Sequence, residues 1–453
     1  MKRTRFYISG TLLAILMAGA GQLALEKSAS AQGNQAPKVE VDRLWPKPLG
    51  NHWIIGSVTG IAVDAQDHVW VAHRGLASLQ GNEKGPTQTP WASECCFSAP
   101  QILEFDAAGT LVSHFGGPGA GYTWPQAPGG IAVDAKGNVW ITAAGIPAAP
   151  PGRGRGPAPA ADGAAAGRGG RGAAGGAAPA AGGAPAARGA APAARGGAPA
   201  GPPQEADAHV LEFSKTGQFI RQIGTPGKME GPDSQTTLNR PKAIAVDSAA
   251  NEVYVADSGN RRVVVFDANT GAFKRMWGGS GEKPSATAPA AGSAPDKQFR
   301  DVNCIHIAKD GMVYVCDSPN NRIQVFDKQG KFIKEGTVKA GTGGEVIPAG
   351  AGASIPTESF GSAWDVAFSS DAQQRFLFVA DGQNKTIWIL QRDSLTPVSR
   401  FGEGGRYPGQ MFAVDSVAVD SKGNVYTGEG SEGKRVQKWI SKGMGAPAPL
   451  AQN

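Results

Sequence analysis

Short runs in which apolar and polar positions alternate recur along the chain, each followed by a turn and a second run. The pairs are Gly60-Ile-Ala-Val-Asp with Val69-Trp-Val, Gly130-Ile-Ala-Val-Asp with Val139-Trp-Ile, Ala243-Ile-Ala-Val-Asp with Val253-Tyr-Val, Cys304-Ile-His-Ile with Val313-Tyr-Val, Asp365-Val-Ala-Phe with Leu377-Phe-Val, and Ser416-Val-Ala-Val-Asp with Val425-Tyr-Thr. Period-two alternation of β-branched and aromatic residues predicts strands. The turns Lys136-Gly137-Asn138, Asp310-Gly311 and Lys422-Gly423-Asn424 suit hairpins, because Gly and Asn accept positive φ. A third run and usually a fourth follow each pair, as in Arg262-Val-Val-Val-Phe and then Phe273-Lys-Arg-Met-Trp. Six copies of four strands predict an all-β fold, a six-bladed β-propeller. The sixth copy lacks a fourth strand. Val39-Glu-Val-Asp-Arg-Leu-Trp45, ahead of the first copy, can supply it and remove the open edge.

This pattern gives a propeller over residues 39–441 and a flexible tail at 442–453. Residues 145–206, between the second and third strands of the second copy, are dominated by Ala, Gly, Pro and Arg. They hold too few apolar residues to offset the entropy of ordering and are expected to be a disordered, solvated insert rather than an RNA-binding one. Much of the chain's excess of Gly (65 residues) and Pro (33 residues) falls there. Residues 280–297 and 339–358 are smaller inserts. The N-terminus has a basic start, an apolar run from Phe6 to Leu25 and then Ala29-Ser30-Ala31. That order predicts a secretory signal peptide over 1–31, an exported (periplasmic or secreted) product, and no membrane span after cleavage. The signal region carries a net +3 and residues 151–200 a net +5, so the formal +6 of the whole chain leaves −2 for the rest. No basic face for nucleic acid is implied.

Export would allow the four cysteines to oxidise. Cys304 and Cys316 flank a predicted hairpin and either form a disulfide or stay as buried thiols. Cys95-Cys96 is a vicinal pair in a loop, and the pattern leaves its redox state open.

The segments Val255-Ala-Asp-Ser-Gly-Asn-Arg-Arg-Val-Val-Val-Phe, Val315-Cys-Asp-Ser-Pro-Asn-Asn-Arg-Ile-Gln-Val-Phe and Val379-Ala-Asp-Gly-Gln-Asn-Lys-Thr-Ile-Trp-Ile resemble the NHL repeat of six-bladed propellers. Val71-Ala-His-Arg-Gly75 and Arg400-Phe-Gly-Glu-Gly-Gly-Arg-Tyr-Pro-Gly-Gln-Met-Phe412 are similar to the peptidylglycine α-amidating (peptidyl-α-hydroxyglycine) lyase domain and its exported bacterial relatives. The resemblance implies a zinc ion at the channel mouth, held by three His from alternate blades, with a Tyr and Arg residues completing the site. When the copies are aligned, those His positions fall on Gly129, Asn303 and Asp415. The Tyr position falls on Ser258 and one Arg position on Ser318; only Arg74 survives. Zinc is therefore not expected, since neither an amide nor a single carboxylate holds it.

The expected channel-mouth set is Thr59, His73, Arg74, Lys242, Asn303, Trp364 and Asp415. Thr59, His73, Arg74, Asn303 and Trp364 are candidates for ligand contact; Arg74, Lys242 and Asp415 are candidates for catalysis. Lys242 and Asp415 can form a structural ion pair or a proton-transfer pair beside an Arg that holds an anion. Of the other histidines, His209 is placed near a channel end, and His306, which alternates with Ile305 and Ile307, reads as a structural strand residue. Asp257, Asp317, Asp381 and Glu429 recur at the ends of second strands. They read as caps accepting backbone N–H groups, with structural calcium left open. Arg261, Arg322 and Arg435 recur likewise and are expected to tie blades together. The expected function is a binding or scaffold module taking a small molecule, peptide or glycan at the channel mouth, or an envelope protein. The alternative is a lyase-like or metal-dependent lactonase-like enzyme with an altered channel site.

Overall fold

A computed structural model of the chain describes residues 35–87, 89–91, 93–145, 207–287, 297–342 and 361–450. The expected signal peptide and nearly all of the expected insert at 145–206 lie outside them. Six four-stranded antiparallel sheets form the body. Their innermost strands are Val58–Val63, Pro128–Val133, Pro241–Asp247, Val302–Ile307, Asp365–Phe368 and Val414–Val419, in blades one to six. Each innermost strand contacts that of the next blade, and the sixth contacts the first.

The six-copy reading of the sequence is thus a closed ring. Its last blade is completed from the other end of the chain: Ala36–Asp42 pairs antiparallel with Arg435–Gly445. The pairing begins at Ala36 opposite Gly445, so residues 442–445, expected in a flexible tail, belong to a strand. Beyond them Ala448 N donates to Ser399 Oγ at 2.9 Å and Arg400 Nε to Pro449 O at 3.0 Å, which fastens the tail to blade five.

The core is divided among the seams. Six apolar clusters form, one between each pair of neighbouring blades. Trp70, Ile102 and Phe213 lie between blades one and two, and Tyr314, Val366 and Trp388 between four and five. The cluster of Val58, Val71 and Phe105 with Tyr426 and Val436 joins blade six to blade one. Trp45 seals it, 5.0 Å from the Tyr426 ring and 5.8 Å from Phe105. Apolar burial of this kind, worth about 25 cal/mol per Å², favours closure over an open arc. The innermost strands approach closely at glycines. A Cβ at Gly130 would stand 2.9 Å from both Ala243 Cα and Lys242 O, which accounts for Gly there in blade two. Cys304 and Cys316 face each other across the first hairpin of blade four and are joined as a disulfide; Cys95 and Cys96 are joined as a vicinal one.

Candidate functional site

In blades three to six the second strand ends on a carboxylate that acts as a cap. Asp257 accepts from Asn239 N at 2.7 Å, Asn260 Nδ2 at 2.8 Å and Arg262 Nε at 2.7 Å. Asp317 repeats this with Arg300 N at 3.1 Å, Asn320 Nδ2 at 2.7 Å and Arg322 Nε at 3.0 Å. Asp381 accepts from Asn384 N and Trp388 Nε1, and Glu429 from Phe412 N and Arg435 Nε. All four are buried, and each is engaged by its own blade as the sequence pattern suggested. The recurring buried arginine in blade three is Arg262. Arg261 takes a left-handed conformation (φ +51°) and donates to the Ser285 and Ala286 carbonyls instead.

The cap explains His73. Val58 pairs with His73 in blade one as Val302 pairs with Asp317 in blade four. His73 Nδ1 accepts from Gly56 N and Gly75 N, both at 3.0 Å, and Nε2 donates to Pro100 O at 2.9 Å. Burial pushes it down to about 4, so the ring is neutral. His73, expected at the channel mouth, is therefore the cap of blade one with both nitrogens committed. In blade two, Asp207 takes the role, accepting from Gln126, Ala127 and Gly145 N–H groups. His209 is also buried away from the channel, with Nε2 2.7 Å from Thr123 O.

The other six expected residues meet. Thr59, Arg74, Lys242, Asn303, Trp364 and Asp415 line one cavity of about 420 Å³ at the centre of the ring, within the range of small-molecule sites. Within it Lys242 Nζ donates to Asp301 Oδ2 at 2.5 Å and to Asn303 Oδ1 at 2.7 Å. Ser258 Oγ donates to the other Asp301 oxygen, and Asn303 Nδ2 to Ser318 Oγ. Lys242 thus pairs with Asp301 and not, as expected, with Asp415, because Asp301 leads into the adjacent innermost strand while Asp415 comes from blade six. Among the described residues no donor reaches the Asp415 carboxylate and no acceptor reaches the Arg74 guanidinium. Enclosure raises Asp415 to about 6; Arg74 and Lys242 oppose the rise, and Asp365 adds to it.

One further pair in the cavity lies outside the expected set. His306, read as structural, lines the cavity, and its Nε2 stands 2.7 Å from Asp365 Oδ1. Asp365 Oδ2 accepts from Val417 N at 2.9 Å, bridging blades five and six.

The resemblance to amidating lyases implies zinc, and the donors do not fit it. Gly129, Asn303 and Asp415 do converge on the cavity. However, a Cβ at Gly129 would lie 3.0 Å from Lys242 O, the Asn303 amide is engaged on both sides, and one carboxylate remains. Two other donor clusters occur among the described residues. Cys304, His306 and Asp365 lie within 4.8 Å of one another, but the Cys304 sulfur is in a disulfide. Asp64, His68 and Glu104 lie equally close, with Lys215 Nζ 3.1 Å from Glu104. Blade two builds the same arrangement with Asn138 between Asp134 and Glu212, which marks it as a strand-end brace.

The NHL repeat family matches residues 238–266, within blade three. Among curated proteins the chain is similar to NHL repeat-containing protein 3 of Homo sapiens, 25% identical over 241 residues, covering 51% of this chain and 58% of that one. It is also similar to NHL repeat-containing protein 2 of Gallus gallus, 25% identical over 218 residues, covering 47% of this chain and 26% of that one. The match thus spans less than two thirds of these relatives. Among solved structures it is similar to a streptogramin B lyase (TM-score 0.44, 11% identity, 90% of this chain and 98% of that one). A virginiamycin B lyase from Staphylococcus aureus is also similar (TM-score 0.40, 11% identity, 89% of each chain). The strand pairing of the ring and the repeat in blade three together define an NHL-type six-bladed β-propeller.

Proposed function

We propose that this propeller is an exported binding module whose ligand enters the channel mouth and presents an anionic group to Arg74. A small molecule, a peptide, a glycan or an exposed group of an envelope protein would each supply one. The observation that supports this is the Arg74 side chain itself. It lines the cavity with no protein acceptor among the described residues, while the neighbouring cation, Lys242, is held by Asp301 and Asn303. A guanidinium in a concave site is suited to bidentate contact with a carboxylate or phosphate. Thr59, Asn303 and Trp364 would frame the rest of the ligand, and the ring supplies rigidity. The test is retention on an array of short peptides and acidic oligosaccharides. Retention by the parent, lost in Arg74→Ala and kept in the surface variant Arg43→Ala, supports the reading; equal retention by Arg74→Ala contradicts it.

A second reading is favoured by Asp415 and His306. A carboxyl raised to about 6 and an imidazole oriented by Asp365 share one cavity, which is the equipment of proton transfer. A lyase-like or lactonase-like enzyme with an altered channel site would use them. Turnover of α-hydroxyglycine-ended peptides or lactones, abolished in Asp415→Asn, would move the protein to this class.

A further inference from the structure

The charges in the cavity do not all have partners. Lys242 is matched by Asp301 and His306 by Asp365, at 2.5 and 2.7 Å. Arg74 and Asp415 are each left without one among the described residues, and they are not within ion-pair distance of each other. The channel wall therefore holds one unmatched positive group and one unmatched negative group, contributed by the neighbouring blades one and six. Arg74 is exposed and Asp415 half-buried on the cavity wall, so both are within reach of a ligand, and one carrying the opposite pair of charges would match both at once.

We propose that the channel ligand is a zwitterion, with a carboxylate taken by Arg74 and an organic ammonium group taken by Asp415. This rests on the Arg74 reading above and adds to it a cation subsite that the sequence resemblance does not supply, since Asp415 stands where that resemblance implies an imidazole. The cavity of about 420 Å³ suits an amino acid or a short peptide. Trp364 also lines the cavity, and Ser416 Oγ, buried without a hydrogen-bond partner among the described residues, borders the Asp415 side. The groups that act on Asp415 are Arg74, Lys242 and Asp365, with His306 and Asp301 behind them. None of the cations among these donates to it. An ammonium at Asp415 would favour its ionised form, so binding below pH 6 must displace a proton. Affinity for the zwitterion should rise about tenfold between pH 5 and pH 7.

The experiment is calorimetric titration of the full chain with propionate, propylammonium and the ω-amino acids from glycine to 6-aminohexanoate. At pH 7 the best amino acid should bind at least about tenfold more tightly than propionate. Asp415→Asn should erase that ratio, and Asp415→Glu, which keeps the charge, should retain it with a different preferred length. Propionate binding as tightly as every amino acid, in the parent protein and in Asp415→Asn alike, would leave Arg74 as an anion site and overturn the cation subsite. No binding by any probe would overturn both readings. Millimolar calcium binding that depends on Asp415, with no selectivity for the amino acids, would replace the ammonium by a metal and overturn the proposal.

Discussion

The Lys242 ammonium donates to the Asp301 carboxylate at 2.5 Å, across the seam between blades three and four. The obvious cation for Asp415 is thereby engaged elsewhere, and Asp415 is left in the enclosed channel with a proton affinity raised to about 6. Because its folded value lies above the ordinary 3.8, its stabilising contribution is complete below 3.8 and is lost as the pH rises through about 6. Asp415→Asn should therefore be more stable than the parent at pH 7, by about 1–2 kcal/mol once channel water is allowed for. At pH 4 the two should be nearly equal. Urea denaturation at both pH values measures the difference. A destabilised variant at pH 7 would mean that the carboxylate has a donor.

His73 gives the opposite pH dependence. Its folded value is about 4, against 6.5 for a free imidazole. The neutral ring is thus stabilising above 6.5, and that contribution is lost as the pH falls toward 4. The loss should be about 3 kcal/mol, visible as a fall in denaturation midpoint between pH 6.5 and 4. His73→Asn, which can accept one of the two N–H groups, should flatten this slope while lowering stability at pH 7.

The buried pair of Asp257 and Arg262 anchors blade three. Arg262 also donates to the Pro232, Ser234 and Thr237 carbonyls. Asp257→Ala should cost about 3–5 kcal/mol, because it strands a buried guanidinium. The double change Asp257→Ala with Arg262→Met should cost less than the sum of the single changes. A double-mutant cycle by chemical denaturation checks the sign of the coupling.

The disulfide between Cys304 and Cys316 closes a loop of sequence separation 12. Cys304→Ser with Cys316→Ser should lower stability by about 2–3 kcal/mol. Cys95→Ser with Cys96→Ser, in the exposed loop, should change it little. Thermal melts of the two double variants separate these expectations.

The ring was legible because each blade repeats a local pattern. Ile-Ala-Val with Val-Trp-Val states both strands of a hairpin within a dozen residues, and Gly137, Gly311 and Gly423 adopt the positive φ their turns require. Thr59, Lys242, Asn303, Trp364 and Asp415 were legible as channel residues by their offset from that pattern, and Arg74 by the resemblance of its His-Arg-Gly segment. What escaped was set by contact between blades. His306 and Asp365 are 59 residues apart, and alternation with Ile305 and Ile307 gave no sign that the imidazole faces the channel. The Asp301 claim on Lys242 is of the same kind. His73 escaped for another reason: its blade caps with an imidazole where the others use carboxylates, so residue type hid an equivalence that only strand register shows. Arg261 and Arg262 are adjacent, and the positive φ at Arg261 decides which of them enters the blade.

Capture of an ammonium group at Asp415 requires a carboxylate that no donor of the protein already holds. Carbon-13 NMR titration of its side-chain carboxyl, assigned by comparison with Asp415→Asn, measures this directly. A midpoint near pH 6 that falls when an ω-amino acid is added is the expected result. A midpoint near 3.8 that no such ligand moves would show a solvated or already paired group and would contradict it.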